Sequence, residues 1–223
     1  MNLIIIGPPA SGKGTNATKI SEKYNIPHIS IGQLLRNILE SDSPYIAEIK
    51  SAMEKGEIVR DEIIKEIIEK RLAEEDAKKG FIIDGFPRNL TQIDILFEIL
   101  EKHKRNLDGV IFIDLDKEEL IKRTLTRLVC SNCGKNFSKE YYLEKTCDNC
   151  GEMLTVRTDD QNFQTIETRY NNYLEYSLPV IKFFKTQGLL YEIDGNQDME
   201  KVYNDIETLL ENLGEKYDNN KKS

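Results

Sequence analysis

Gly7-Pro8-Pro9-Ala10-Ser11-Gly12-Lys13-Gly14-Thr15 is the stretch on which the reading of the fold turns. It follows the apolar run Leu3-Ile4-Ile5-Ile6 directly and opens the amphipathic segment Asn16 to Tyr24, so the order is strand, glycine-rich loop, helix. Glycines let backbone N–H groups turn inward around a phosphate, the helix N-terminus adds partial positive charge, and a lysine placed like Lys13 reaches the terminal phosphates of a nucleoside triphosphate. Ala10, Ser11, Gly12, Lys13, Gly14 and Thr15 are thus candidate ligands of a phosphate chain. A strict loop of this type has Ser or Thr directly after the lysine; here Gly14 intervenes before Thr15, which points to a subfamily.

Outward from the loop, short β-rich apolar runs alternate with longer amphipathic ones. That is the pattern of an α/β protein with a parallel sheet covered by helices on both faces. Five strands are expected, at Leu3-Ile6, His28-Ser30, Phe81-Asp84, Val110-Asp114 and Leu190-Ile193. Ile63, Ile64, Ile67, Ile68 and Leu72 recur at helical spacing after Asp61, a plausible cap, and Ile93 to Leu100 gives another helix. Residues 31–60 and 128–162 break the alternation and read as inserts, and the Asn- and Lys-rich tail from Gly214 reads as disordered.

At 223 residues, 39% hydrophobic and 31% charged, the chain has the composition of a soluble enzyme with one main core. No apolar run approaches the roughly 20 residues of a membrane span. The N-terminal apolar run has no basic leader, so the expected compartment is the cytoplasm. A net charge of −8 disfavours general nucleic-acid binding, while a small anion needs only a few convergent cations. Arg36, Arg88, Arg123, Arg127, Arg157 and Arg169 stand in or beside the inserts or at strand ends and are the candidates. Asp84 ends an apolar strand before Gly85, a placement suited to orienting Mg2+ and its waters. The segment Asp84-Gly85-Phe86-Pro87-Arg88 lies at a strand's carboxyl end, where open α/β sheets bind ligands.

Cys130-x2-Cys133 and Cys147-x2-Cys150, thirteen residues apart, form two knuckles of the kind that hold zinc with four thiolates. Gly134 and Gly151 follow them where the chain must turn tightly. Four thiolates leave no open position, so the metal's role is structural, holding together an insert too polar for a core of its own. A zinc ribbon can also bind nucleic acid, yet Glu140, Glu144, Asp148, Glu152, Asp159 and Asp160 make this insert acidic.

The loop, Ile29-Ser30-Ile31-Gly32-Gln33-Leu34-Leu35-Arg36 and Asp84-Gly85-Phe86-Pro87-Arg88 together resemble the adenylate kinases, from Met1 to about Leu213. The resemblance implies a three-layer P-loop fold with its core in 1–29, 60–127 and 163–213, an NMP-binding insert at 30–59 and a zinc-binding lid at 128–162. It implies reversible transfer of the terminal phosphoryl group of Mg-ATP to AMP, giving two ADP, by a monomer without nucleic-acid or membrane partners. Other kinases of the fold, acting on UMP and CMP or using GTP as donor to AMP, are the alternatives. By resemblance Arg36 and Arg88 hold the acceptor phosphate, Gln92 reads the acceptor adenine, and Ile31, Glu57, Ile58, Val59, Gly85, Phe86 and Pro87 line that pocket. Arg127 lies on the donor side with Asn136, Phe137 and Gln197, while Arg157 and Arg169 close from the lid; Arg123 has a supporting place. The sequence departs from the family pattern at Ala10, commonly Gly, at Ile31 and Gln33, commonly Thr and Asp, and by one extra residue between Arg157 and Arg169.

Overall fold

The computed structural model describes residues 1–157, 160 and 162–220, with residues 215–220 described through their backbone alone. Five parallel strands, β1 (Asn2–Ile6), β2 (His28–Ser30), β3 (Phe81–Asp84), β4 (Gly109–Asp114) and β8 (Leu190–Asp194), form one sheet in the order β2-β3-β1-β4-β8. β1 is central, in register with β3 from Asn2↔Phe81 to Ile5↔Asp84 and with β4 from Leu3↔Gly109 to Ile6↔Phe112. All three expected central strands lie within a residue of their predicted limits, because a strand buried on both faces is apolar throughout.

Alternate residues of each strand face opposite sides of a sheet. Ile4, Ile83 and Val110 enter one core together with Ile63, Ile68, Leu96 and Phe184. Leu3, Ile5, Ile82 and Ile111 enter another with Ala17, Ile20, Val202 and Ile206. The first core is built against α4 (Asp61–Leu72), α5 (Leu90–Lys102) and α8 (Leu178–Thr186), the second against α1 (Lys13–Tyr24) and α9 (Met199–Asn220). Fully burying each such Ile or Leu contributes about 1.5–3 kcal/mol.

Between β2 and α4 lie α2 (Ile31–Leu39) and α3 (Ile46–Lys55). Ser30 caps α2 by accepting from the Gln33 N–H at 3.4 Å. Ile31, Leu35, Ile49 and Ala52 are buried in the first core, so this insert shares the core of the sheet. After β4 and α6 (Lys117–Thr126), three short antiparallel strands make a second sheet: β5 (Arg127–Cys130) lies between β6 (Asn136–Ser138) and β7 (Leu154–Thr155). The chain returns through α7 (Phe163–Asn172), one π-helical turn at Tyr173–Ser177, and α8.

Two local readings change. α4 begins at Asp61 itself, with Arg60 in the cap position and no side-chain cap there; the Asp61 carboxylate is turned toward α5. α9 carries helix to Asn220, through the first part of the tail read as disordered, while 221–223 lie outside the described residues. A lack of apolar residues argues against a core for that tail, but Glu, Lys and Tyr are compatible with continuing a helix already nucleated.

Candidate functional site

The carboxyl ends of β1, β2 and β3 face a cavity of about 740 Å³, floored by the glycine-rich loop. The loop meets α1 through Gly12, which takes a left-handed conformation (φ 89°) so that Lys13 opens the helix. Ala10 also lies in the left-handed region, at φ 59°. That costs a residue with a β-carbon about 1 kcal/mol and explains why glycine is usual there. Lys13 Nζ donates to the Pro8 carbonyl at 2.6 Å and to Ser11 Oγ at 3.3 Å.

Nine lysines and arginines line this cavity, among them six that the sequence singled out: Lys13, Arg36, Arg88, Arg127, Arg157 and Arg169. In a chain of net charge −8 such a concentration requires specific restraint. Asp160 supplies part of it. Its fully buried carboxylate accepts from Arg127 Nε at 2.6 Å and Nη2 at 2.7 Å, and from Arg169 Nη1 at 3.0 Å. Gln33 Oε1 accepts from Arg36 Nε at 3.3 Å and Nη2 at 3.1 Å. Arg88 Nε donates to the Gly85 carbonyl at 2.9 Å.

Asp84 is the acid of the cavity, with His28 Nε2 3.7 Å from its Oδ2. Burial pushes its carboxyl up, but His28, Lys13 and Arg88 together outweigh burial and hold it below the usual carboxylate range. Lys13 is shifted the other way. Burial, reinforced by Arg88, Arg169 and Arg127 and opposed by Asp84, lowers its ammonium from 10.5 to about 7.

A smaller recess of about 60 Å³ adjoins the main cavity and shares Arg88, Arg157 and Arg169 with it. Its walls include Ile31, Glu57, Ile58, Val59, Gly85 and Gln92. The recess is tied to α7 by three residues on one helical face. Thr165 Oγ1 donates to the Glu54 carbonyl at 3.1 Å, Asn172 Nδ2 donates to the Gly56 carbonyl at 2.9 Å, and Arg169 lies between them.

Above the cavity, the four cysteine Sγ atoms lie within 4.8 Å of one another, with Cys130–Cys150 at 3.4 Å and Cys133–Cys147 at 3.6 Å, and none is in a disulfide. Four thiolates around zinc at about 2.3 Å stand about 3.8 Å apart, so the cluster fits a tetrahedral site. In each knuckle the glycine N–H returns to the carbonyl of the first cysteine, Gly134 to Cys130 at 3.0 Å and Gly151 to Cys147 at 2.8 Å. The first knuckle reaches the other insert: a β-carbon on Gly134 would stand 2.9 Å from Gln33 Oε1.

A family model described as adenylate kinase matches residues 5–189. The chain belongs to that family. It is 41% identical over 216 residues to an adenylate kinase of Limosilactobacillus reuteri, covering 96% of this chain and 100% of that protein. An adenylate kinase of Archaeoglobus fulgidus is also 41% identical over 216 residues, covering 96% of this chain and 99% of the other, and one from Enterococcus faecalis is 39% identical over 214 residues. Membership of the adenylate kinase family makes the chain a nucleoside monophosphate kinase.

The cavity and its recess bring together the loop from Ala10 to Thr15, the six cations, Asp84, Gly85, Pro87, Ile31, Glu57 to Val59, Gln92 and Asn136. Three expected residues lie off these walls. Phe86 is fully buried, part of the first core. Phe137 packs on Tyr142, ring centroids 4.5 Å apart. Gln197 spends its amide on the Asp194 carbonyl at 3.0 Å and Asp205 at 2.8 Å. Arg123 donates to Glu119 and to the Gly195 carbonyl, bracing the turn after β8. Sequence reasoning did not single out His28, Thr165 or Asn172, and it counted Asp160 with the acidic surface of the lid. The helical spacing of Thr165, Arg169 and Asn172 was the one available signal.

Gly56 sits at φ 73°, and a β-carbon there would lie 2.8 Å from the Thr165 carbonyl. Gly188 has a similar φ of 68° with nothing within 4 Å. Gly188→Ala is expected to cost about 1 kcal/mol for the left-handed backbone alone. Gly56→Ala is expected to cost at least about 1 kcal/mol more, read by urea unfolding of both variants. The lowered Lys13 has a separate consequence for the nucleotide-free protein. Between about pH 7 and 10.5 the unfolded chain holds a proton that the native site gives up, so this residue's contribution to stability rises with pH. The penalty is full below about pH 7. Lys13→Met is therefore expected to be more stable than the parent at pH 7, with the gap narrowing at pH 9.5, when the two are unfolded in urea side by side.

Proposed function

We infer that the chain catalyses reversible transfer of the terminal phosphoryl group of Mg-ATP to AMP, giving two ADP. The observation that carries this reading is that the loop cavity and the smaller recess meet at the same three arginines, Arg88, Arg157 and Arg169. One phosphate site serves hydrolysis; two sites sharing their cations serve transfer between two nucleotides. The donor lies on the loop side and the acceptor in the recess lined by Ile31, Glu57, Ile58, Val59, Gly85 and Gln92.

The attacking group is a phosphate oxygen of AMP, ionised near neutral pH, so no general base is required. A bond forms from that oxygen to the terminal phosphorus of ATP while the bond to the bridging oxygen breaks, and the charge leaves on ADP. Lys13 and the loop N–H groups hold the donor phosphates. Arg36 and Arg88 hold the acceptor in line, and Arg127, Arg157 and Arg169 neutralise charge on the transferring group. Magnesium bound with ATP supplies neutralisation of the donor phosphates. Asp84, kept ionised beside Lys13, is the residue placed to hold its waters. The zinc set Cys130, Cys133, Cys147 and Cys150 stabilises the lid, which needs the metal because its three strands average little buried apolar area. The same reading makes the protein a cytoplasmic monomer with no nucleic-acid partner. The net charge of −8 supports the last of these.

A coupled assay with Mg-ATP against AMP, UMP, CMP and GMP tests the assignment, with strong preference for AMP expected and no transfer to any of the four refuting it. Lys13→Ala and Arg88→Ala are each expected to lower turnover at least about 100-fold while the protein stays folded, an effect of the size seen when a transition-state donor is removed. Chelation of zinc is expected to lower the melting temperature more than it lowers the activity of protein still folded. Lost activity with an unmoved melting curve would instead give the metal a functional role.

A further inference from the structure

Gln92 is 1% exposed, yet it borders the recess, and both ends of its amide are engaged by groups of fixed polarity. Its Oε1 accepts from the Arg88 backbone N–H at 2.7 Å. Its Nε2 donates to Asp61 Oδ1 at 2.7 Å. A backbone N–H only donates and a carboxylate only accepts, so the two contacts allow one orientation of the amide. Turning it over would set N–H against N–H and oxygen against oxygen in a buried place, where unmade hydrogen bonds are costly. Asp61 also holds Asn89, whose Nδ2 lies 3.1 Å from Oδ1 and 3.4 Å from Oδ2. Asn89 in turn caps α5 by accepting from the Gln92 N–H at 2.8 Å. The first residue of α4 thereby sets both the backbone and the side chain of Gln92.

We propose that Asp61 is a specificity-determining positioning residue for the acceptor base, acting by locking the direction of the Gln92 amide. This rests on the reading of the recess as the acceptor-base pocket. Each end of the amide keeps one hydrogen-bonding position for a ligand: a lone pair on Oε1 and an N–H on Nε2. A 6-aminopurine presents the complementary pair, an N–H donor on its exocyclic nitrogen and a bare ring nitrogen. A 6-oxopurine presents the reverse, a carbonyl oxygen and a ring N–H. With the amide locked, the second class meets donor against donor and acceptor against acceptor, the kind of mismatch by which polar sites discriminate strongly. With the carboxylate replaced, only the Arg88 N–H still opposes the turn, so the amide turns over at lower cost and the distinction narrows. This assigns a use to the Asp61 side chain that the capping of its own helix does not require.

The experiment measures kcat/KM for AMP and for inosine 5′-monophosphate, with Mg-ATP as donor, in the parent protein and in Asp61→Asn, Asp61→Ala and Gln92→Leu, with melting temperatures to verify the fold. The expected result is that the parent prefers AMP and that at least one Asp61 variant narrows the AMP-to-inosine ratio fivefold or more, chiefly through KM. A ratio narrowed less than fivefold in both Asp61 variants, with Gln92→Leu collapsing it, overturns the lock while leaving the base pocket in place. A ratio unmoved by Gln92→Leu overturns the assignment of the pocket and the lock with it. A merely structural role for Asp61 would lower the melting temperature and both specificity constants together and leave their ratio where it was, which also counts against the proposal.

Discussion

The mutual repulsion of six cations around one cavity is the constraint on which the other features of the site depend. Two unit charges 4 Å apart at an effective dielectric near 20 interact by about 4 kcal/mol. The protein's own acceptors temper that repulsion. They do so from three directions. Asp160 takes Arg127 and Arg169, Gln33 takes Arg36, and the Pro8 and Gly85 carbonyls take Lys13 and Arg88. Lys13 feels both conditions of the site: burial first, and the neighbouring Arg88, Arg169 and Arg127 after it, lower its ammonium to about 7 against the pull of Asp84. A site lined by so many cations favours polyanions.

Holding those cations in reach of one another ties the inserts to the sheet. α7 carries Thr165, Arg169 and Asn172 along one face, so the helix that presents a cavity arginine also clasps the turn at Glu54 to Gly56. The π-helical turn that follows ends at Ser177, whose hydroxyl donates to the Arg88 carbonyl at 3.3 Å. A widened turn of this kind is common at functional sites. From the other side, the knuckle glycine Gly134 packs on Gln33, which already holds Arg36. Each insert thus touches a residue that orients an arginine, and movement of either one changes the charge balance of the cavity.

The five strands were legible because burial on both faces leaves a run of apolar residues that few other structures need, and the loop because glycine and lysine at that spacing between strand and helix have one common use. The cysteines were legible from spacing alone, since two knuckles thirteen residues apart place four thiols within reach of one ion. Asp61 and Asp160 were misplaced for a shared reason. An aspartate at a helix start reads as a cap and one in a polar insert reads as surface, and local rules cannot show that a carboxylate is instead used by residues 31 or 33 positions away. Phe86, Phe137 and Gln197 stand off the cavity walls because neighbours in sequence share a segment but not a facing.

By itself the sequence determined the element order, the glycine-rich loop, the four-cysteine cluster and the identity of the cations, all of which depend on residue type and short-range spacing. Only the tertiary structure decided which acids restrain those cations, how α7 joins the two inserts, and which way the Gln92 amide faces. Those are matters of long-range hydrogen-bond geometry. They arise where chain segments distant in sequence meet in a buried space and each polar group must find its partner.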